Sequence, residues 1–213
     1  MRETIKASIQ KFNIFYENKY DLTQNKSIYL SKENFKSPHS EAINRVKNNS
    51  FILDIGCHDG SVANFLINKK NCKVIGADQN EENLNHEITK FYSIDLDKDL
   101  PDLDYDKLDY ILLLDVIEHI KDPETFMKKL YEKISNNEKI EIFISTGNVS
   151  FVIIRLMLLF GFFNYGKRGI LDRTHTRLFT FSSLKNLIKG SNFKIDNIIG
   201  IPCPFPIVLK SKL

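Results

Sequence analysis

The sequence predicts an α/β fold: a doubly wound, mostly parallel sheet with helices on both faces. From residue 51 onward, short apolar runs alternate with segments of helical periodicity. One run, residues 110–114, is apolar at every position, as expected of a central parallel strand. The predicted strands are residues 51–55, 73–77, 91–94, 109–114 and 139–145. This alternation is typical of a parallel sheet that is covered on both sides.

Helix start and stop signals support this interpretation. Pro38 predicts the start of a helix just before the first strand. Asp122 is expected to cap another helix, with Pro123 at its first position, because proline lacks the N–H that the first turn does not use. A final helix is predicted from about residue 182 to residue 189, ending at Gly190.

The chain of 213 residues is long enough for one domain with a sizeable core. Residues 1–48 are predicted to form an N-terminal helical segment, and residues 49–213 the main domain. Within that domain, residues 149–180 are expected to form a lid or insertion after the fifth strand. Residues 193–199 are predicted to be a last long strand. The proline-rich residues 202–206 do not suit a central strand.

Composition narrows the function classes. The chain has 30 basic and 27 acidic residues, a net charge of +3, which is low for a protein that neutralises many phosphates. We therefore expect no nucleic-acid partner. Cys57, Cys72 and Cys203 have neither paired nor metal-ligand spacing, so we expect reduced thiols, a cytoplasmic location and no metal site. The first residues lack the apolar core of a signal peptide.

The most informative segment is residues 51–60, an apolar run that leads through Asp54 into a turn containing Gly56 and Gly60. A second acid, Asp78, closes the next apolar run at a distance that suits a carboxylate binding a ribose diol. The chain lacks the Gly-x-Gly-x-x-Gly pattern of dinucleotide sites, and an acid before the first glycine would repel a phosphate. The expected ligand therefore has an ammonium group and a ribose but no phosphate. These features indicate S-adenosylmethionine.

These residues resemble the motifs of class I S-adenosylmethionine-dependent methyltransferases, including members that methylate oxygens of quinone precursors and glycans. The four motifs, in the family's order, are Leu53–Gly60, Gly76–Asp78, Ser93–Leu96 and Asp109–His119. The likeness continues more loosely to about residue 200. One departure is His58, which stands where the family usually has glycine. The resemblance implies a Rossmann-like class I methyltransferase fold and an enzyme that uses S-adenosyl-L-methionine.

The resemblance also implies roles for the acids. Asp54 would hold the methionine amino group, Asp78 both ribose hydroxyls, and Asp95 the adenine amino group. The alternatives are a capping acid at position 54 and loop acids at positions 78 and 95. The full cofactor-binding set implied is Asp54, Gly56, Cys57, His58, Gly60, Asp78, Gln79, Asp95, Leu96, Asp115, Val116 and Ile117.

Two histidines are the candidate catalytic residues. His119 lies at the end of the fourth motif, and neutral imidazole suits proton abstraction near pH 7; the alternative is an architectural role. His175 belongs to a Thr-His-x-Arg stretch that resembles the family members acting on hydroxyls; the alternative is a solvated loop histidine. Arg173 and Arg177 are expected to bind a carboxylate or phosphate on the substrate.

The apolar residues 151–163 allow three interpretations. They form a buried core helix, a lid that walls an apolar substrate pocket, or an interfacial helix that docks on an anionic membrane through Lys167 and Arg168. The run is too short to span a bilayer, which needs about 20 apolar residues. The last two interpretations are compatible, and both indicate a lipid-linked substrate.

Together these features predict O-methylation of a small or lipid-linked acceptor, such as a sugar or glycan precursor in polysaccharide biosynthesis. A quinone-type phenol is the alternative acceptor. An alternative hypothesis from a different function class is that the chain is a catalytically degenerate methyltransferase-fold protein, which binds a partner or docks on a membrane. The expected location is the cytoplasm, with peripheral contact to the inner face of the membrane through residues 151–168.

Overall fold

A five-stranded parallel sheet forms the centre of the computed structural model, which describes residues 37–201. The strands are β1 Phe51–Ile55, β2 Lys73–Asp78, β3 Lys90–Ser93, β4 Tyr110–Leu114 and β5 Glu141–Ser145. Their order is β3-β2-β1-β4-β5, and every neighbouring pair is parallel. The strand order therefore reverses between β1 and β4, since β2 and β3 lie on one side of β1 and β4 and β5 on the other. In open parallel sheets, ligands bind in the crevice that forms at such a switch point, outside the carboxyl ends of the strands. The five predicted strands are confirmed, with small shifts at their ends.

Within residues 37–201, five α-helices accompany the sheet. They are α1 Pro38–Arg45, α2 Ser61–Lys70, α3 Pro123–Ile134, α4 Val152–Leu159 and α5 Phe181–Gly190. The helix starts follow the sequence signals: the side chain of Asp122 accepts a hydrogen bond from the Thr125 N–H, with Pro123 at the first position. The predicted starts at Pro38 and ends near Gly190 are also confirmed. The predicted helical segment at residues 1–48 lies mostly outside the described residues.

The sheet is buried on both faces, as the unbroken apolar run of β4 predicts. On one face, side chains such as Ile55 and Leu113 pack with Met127 and Leu130 of α3 and with Leu187 of α5. The opposite face packs against α1 and α2, through residues that include Ile52, Val74, Leu112, Ala42 and Leu66. Each fully buried Leu or Ile contributes about 1.5–3 kcal/mol of transfer free energy, so these two layers fix the positions of the strand ends.

The connection from β2 to β3 departs from the alternating pattern. Residues 79–89 contain a single short 3-10 turn, Glu81–Asn83, and no α-helix. The segment is mostly polar, and Leu84 and Ile88 are its only apolar residues, so a helix there would have too small an apolar face to bury. Leu84 instead packs close to Gly60, which ties this connection to the turn after β1.

The predicted strand at residues 193–199 is wrong, because the structure has no strand there. Alternation of apolar and polar residues lasts only four positions and breaks at Asn197. Phe193 packs edge-on against Tyr131 of α3, with ring centroids 5.3 Å apart. This contact holds the segment against α3 rather than along a sheet edge.

The interpretation of residues 151–163 as a buried core helix is also wrong. Ile154 is the one buried residue of α4, whereas Leu159 exposes 75% of its surface and Phe160 exposes 72%. Apart from Arg155, every residue of α4 is apolar, and Ile154 is its one buried side chain. Most of the apolar side chains of α4 therefore face outward. Within residues 37–201, no helix has the length and apolar character needed to cross a bilayer.

Candidate active site

The turn after β1 depends on two glycines in the left-handed region. Gly56 has φ +73° and Gly60 has φ +77°, conformations that cost a residue with a Cβ about 1–2 kcal/mol. A Cβ at Gly56 would also collide with the side chain of Val116, which follows β4. Glycine at position 56 therefore lets the turn approach the segment after β4 and closes the floor of the crevice.

His58 occupies the same turn in a left-handed conformation, with φ +46°. Its backbone N–H donates a hydrogen bond of 2.9 Å to Oδ2 of Asp78 at the end of β2. The imidazole is exposed, and it does not line the cavity beneath the turn. The turn thus accommodates a side chain at this position by directing it to solvent.

Asp54 lies in β1 beneath the turn and is almost completely buried. Its Oδ2 accepts no hydrogen bond from any residue that the structure describes. Burial raises the pKa of this carboxyl to about 7, and the charges of Asp78 and Asp59 add to the effect. A buried carboxylate with an unused oxygen favours binding of a cationic group, which would restore its ionised form.

A small cavity next to Asp54 has a volume of about 10 Å³, room for about one water molecule or ammonium group. Its lining consists of His39, Asp54, Gly56, Cys57, Asp59, Val62 and Leu114. His39 and Asp59 were not among the predicted site residues. His39 reaches the cavity from α1, and nothing in the local pattern of the sequence distinguishes it from an ordinary helix-start residue.

Asp78 ends β2 and faces the same crevice. Its Oδ1 accepts hydrogen bonds from the N–H groups of Gln79, at 2.7 Å, and of Asn80, at 3.4 Å, and its Oδ2 accepts the bond from His58. A carboxylate offers about four acceptor positions, so Asp78 retains about one, on Oδ2, for a ligand hydroxyl. The three backbone bonds fix the orientation of the carboxylate.

Asp95 follows β3 and is engaged locally. Its Oδ2 lies 2.9 Å from Nζ of Lys98, and its Oδ1 accepts a bond from the Asp97 N–H. The hydrogen bond with Lys98 lowers the pKa of Asp95, so this acid is ionised near neutrality. Leu96 is half-buried against the core. A structural role for Asp95 therefore competes with the predicted adenine contact.

Asp115 follows β4 in a left-handed conformation, with φ +58°. The hydroxyl of Ser145 in β5 donates a 2.6 Å hydrogen bond to Oδ1 of Asp115, and Oδ2 lies 3.9 Å from Nδ1 of His39. Val116 and Ile117 are buried, so they shape the crevice through packing. The half-exposed carboxylate of Asp115 thus stands at the crevice between α1 and β5.

The structure brings the two candidate catalytic histidines together. The rings of His119 and His175 meet edge to face, with centroids 4.7 Å apart. Nδ1 of His119 lies 3.3 Å from the carbonyl oxygen of Thr174, and Nδ1 of His175 lies 3.0 Å from that of Ile170. A carbonyl oxygen only accepts, so each Nδ1 must carry the proton. Each neutral ring therefore has its Nε2 available as a proton acceptor.

Residues 172–179 are held against the segment after β4. The backbone N–H groups of Thr176 and Arg177 both donate to the carbonyl oxygen of Glu118, and the Thr176 hydroxyl donates to that of Ile120. These bonds keep His175 beside His119. These hydrogen bonds explain why a segment that the sequence predicts to be a loop has a defined position.

Burial lowers the pKa of His119 below its ordinary value, and the neighbouring His175 lowers it further. Burial also raises the pKa of Glu118. Both shifts favour the neutral forms of the two groups. His119 is therefore a neutral imidazole at pH 7, the form that accepts a proton.

The two arginines differ in their surroundings. Nη2 of Arg177 lies 2.8 Å from Oε2 of Glu124 in α3, so its guanidinium is paired with an acid. Arg173 is exposed at the start of the same segment. A substrate anion would have to compete with Glu124 for Arg177, which makes Arg173 the stronger candidate for anion binding.

Comparison with known proteins identifies a family to which the sequence is similar. The sequence profile of a family described as "Methyltransferase domain" matches residues 30–198. The solved structure of a Listeria monocytogenes protein, assigned as an S-adenosylmethionine-dependent methyltransferase, is similar with a TM-score of 0.54 and 15% identity. It covers 81% of this chain and 91% of that one, a likeness of fold.

Two plant proteins are similar over 94 residues. They are the (S)-tetrahydroprotoberberine N-methyltransferase of Eschscholzia californica, at 33% identity, and the Papaver bracteatum protein assigned as (S)-tetrahydroprotoberberine N-methyltransferase 2, at 32%. The alignments cover 40% of this chain, and 27% and 26% of these relatives respectively. The chain thus spans about a quarter of the length of the curated relatives it matches.

Proposed function

Because the chain belongs to the methyltransferase-domain family, within the class I S-adenosylmethionine-dependent superfamily, we propose that it methylates an oxygen on a small or lipid-linked acceptor. The observation that carries the oxygen acceptor is the contact of the His119 and His175 rings, each with Nδ1 directed at a carbonyl oxygen. The unused, buried carboxylate oxygen of Asp54 at the crevice supports cofactor binding. Asp78 stands at the end of the neighbouring strand. A sugar or glycan precursor is the first acceptor class, and a quinone-type phenol is the second.

The residues of the crevice fit S-adenosylmethionine, which is the cofactor of the superfamily to which the chain belongs. When bound, it supplies a methyl group activated by attachment to a sulfonium. Asp54 would hold the amino group, which gives its buried carboxylate a partner. Asp78 would accept from a ribose hydroxyl, and Asp95 with Leu96 would border the adenine. The backbone from Gly56 to His58 would pack along the methionine portion, with Gly60, Gln79 and the buried residues Cys57, Val116 and Ile117 shaping the walls.

We assign His119 and His175 to proton transfer. A hydroxyl is mostly protonated at neutral pH, so its attack is assisted by a base within hydrogen-bond reach. The carbonyl oxygens of Thr174 and Ile170 orient the two rings with Nε2 as the acceptor atom. Arg173 would bind an anionic group of the acceptor. Positioning of the acceptor supplies much of the remaining rate enhancement.

A nitrogen acceptor is a second candidate, favoured by the names of the two plant relatives. The half-exposed carboxylate of Asp115, 3.9 Å from His39, would attract a cationic amine. An acceptor panel of sugars, phenols and amines separates these classes. Methylation of amines alone would replace the oxygen proposal while leaving the cofactor assignment intact.

Calorimetric titration with S-adenosylmethionine tests the central assignment. The Asp54→Asn variant should bind at least tenfold more weakly than the wild type, because the amide cannot neutralise an ammonium group. Asp102→Asn, which changes an exposed acid away from the crevice, is the matched control and should bind like the wild type. Equal affinity of Asp54→Asn and wild type would contradict the assignment. No binding by wild type at millimolar cofactor would favour a degenerate, non-catalytic protein.

A further inference from the structure

An exposed apolar surface lies on α4 and the residues that follow it. We call this the α4 surface; its exposed members are Val152, Ile153, Leu156, Leu158, Leu159, Phe160, Phe163 and Tyr165. Val152, Leu156 and Leu159 recur at i, i+4 and i+7, so they form one continuous stripe along the helix. Soluble proteins rarely expose contiguous apolar patches of this kind without a binding partner.

The charges around the α4 surface are mostly basic. Residues 147–171 contain Arg155, Lys167 and Arg168 and no aspartate or glutamate, although acids are frequent in the rest of the chain. One acid, Asp172, forms a β-bridge with Gly166 beside the cationic pair, and its Oδ1 accepts hydrogen bonds from the N–H and hydroxyl of Thr174. All three cations are exposed. The long stem of Arg155 can lie along the apolar stripe while its guanidinium reaches outward.

We propose that the α4 surface docks this protein on an anionic lipid membrane. Apolar side chains next to lysine and arginine match the interface of a bilayer, where acyl chains lie below negatively charged headgroups. A second copy is a poorer occupant, because a two-fold contact would place the same cations opposite one another. The chain's own flanking segments are poorer too. Residues 1–36 contain more basic than acidic residues, and residues 202–213 contain two lysines and no acid.

The position of the α4 surface relates it to the acceptor side of the crevice. α4 follows β5 at the carboxyl edge of the sheet, where His119 and His175 also lie. Ile170, which follows the cationic pair, lies against Gly147 and accepts the bond from Nδ1 of His175. Docking would therefore bring the acceptor side of the protein to the lipid surface. This consequence, a lipid-linked acceptor, rests on the proposed function; the docking itself does not.

Sedimentation of the full chain with lipid vesicles tests the proposal. The wild type should bind vesicles of phosphatidylglycerol and phosphatidylcholine, and bind at least tenfold more weakly to phosphatidylcholine alone or at high salt. Phe160→Asp should reduce binding at least tenfold, since a carboxylate would enter the apolar stripe. Ile199→Asp is the control, because Ile199 is also an exposed large apolar residue but lies outside the α4 surface. The double charge reversal Lys167→Glu/Arg168→Glu should also abolish the preference for anionic lipid.

Three results would overturn the proposal. One is a wild type that does not bind anionic vesicles; another is equal binding by Phe160→Asp and Ile199→Asp. The third is a dimer in solution that Phe160→Asp dissociates, which would assign the α4 surface to a second copy. Calorimetry with S-adenosylmethionine on the same samples separates the two proposals. Retained cofactor binding with no vesicle binding refutes docking alone, and the converse result refutes the methyltransferase assignment alone.

Discussion

The backbone N–H of His58 donates a 2.9 Å hydrogen bond to Oδ2 of Asp78, which joins the turn after β1 to the end of β2. The bond requires His58 to adopt its left-handed conformation, and it fixes one oxygen of the acid assigned to the ribose. Turn geometry and the orientation of the carboxylate therefore depend on one another.

Substitution at position 58 should reveal the cost of this conformation. Glycine adopts φ +46° without strain, so His58→Gly should keep cofactor affinity and alter the free energy of unfolding by less than about 1 kcal/mol. His58→Val should destabilise the protein by about 1–2 kcal/mol, because a β-branched residue tolerates positive φ poorly. Urea unfolding measures both variants. Equal stability of the valine and glycine variants would contradict this prediction, because it would show that the turn changes its backbone conformation to avoid the strain.

Binding of the cofactor should depend on pH through Asp54. Its pKa is about 7, so below that pH the free protein holds the carboxyl in its protonated form. Binding an ammonium group then requires release of that proton, and affinity should fall up to tenfold per pH unit below 7. Calorimetry in two buffers of different ionisation enthalpy would count the protons released. A pH-independent affinity between pH 5.5 and 8 would contradict this coupling.

The same group should lower the stability of the free protein at high pH. The folded pKa of Asp54 lies above its unfolded value, so the folded state binds more protons between about pH 4 and 7. The free energy of unfolding should fall as pH rises through this window and level off above it. Asp54→Asn removes the titration and should stabilise the protein at pH 8 by on the order of 2 kcal/mol. Asp102→Asn serves as the control, and thermal unfolding at pH 5 and 8 measures the difference.

The paired histidines predict the acid limb of the rate profile. Burial and His175 lower the pKa of His119, so kcat measured with saturating cofactor should persist below pH 6.5 before protonation removes the base. His119→Asn should lower kcat by about 10²- to 10⁴-fold with a smaller change in KM. His175→Asn removes the neighbouring imidazole and should move the acid limb to higher pH. If the acid limb of the pH–rate profile does not move in His175→Asn, His175 does not influence the protonation of His119, which contradicts the prediction.

The sequence predicted the sheet well because β1, β2 and β4 are short, buried and bounded by acids or glycine, so local pattern and tertiary role agree. The sequence singles out Asp54 and Asp78 for the same reason, because each closes an apolar run. Their roles toward the cofactor stay predictions. His39 was missed because its approach to Asp115 depends on how α1 packs across the sheet. No local periodicity encodes such a contact between residues far apart in the chain.

Composition also could not decide where α4 lies. A helix whose residues are apolar except for one arginine suits a protein interior and a surface that meets lipid equally well, and only the three-dimensional structure separates the two. Residues 193–199 illustrate the opposite limit. Their brief alternation matches a strand, but the contact between Phe193 and Tyr131 outweighs the local preference.

The helix-free connection between β2 and β3 has a consequence for engineering. Its tip, Glu81–Asn83, is exposed on all three residues, whereas Leu84 anchors the base of the connection near Gly60. Closing a longer loop costs only about 0.6 kcal/mol for each doubling of its length. A small fluorescent or affinity module inserted at this tip would therefore sit near the turn after β1 and near the proposed ribose contact of Asp78. Such a module should report on cofactor binding while the sheet remains undisturbed.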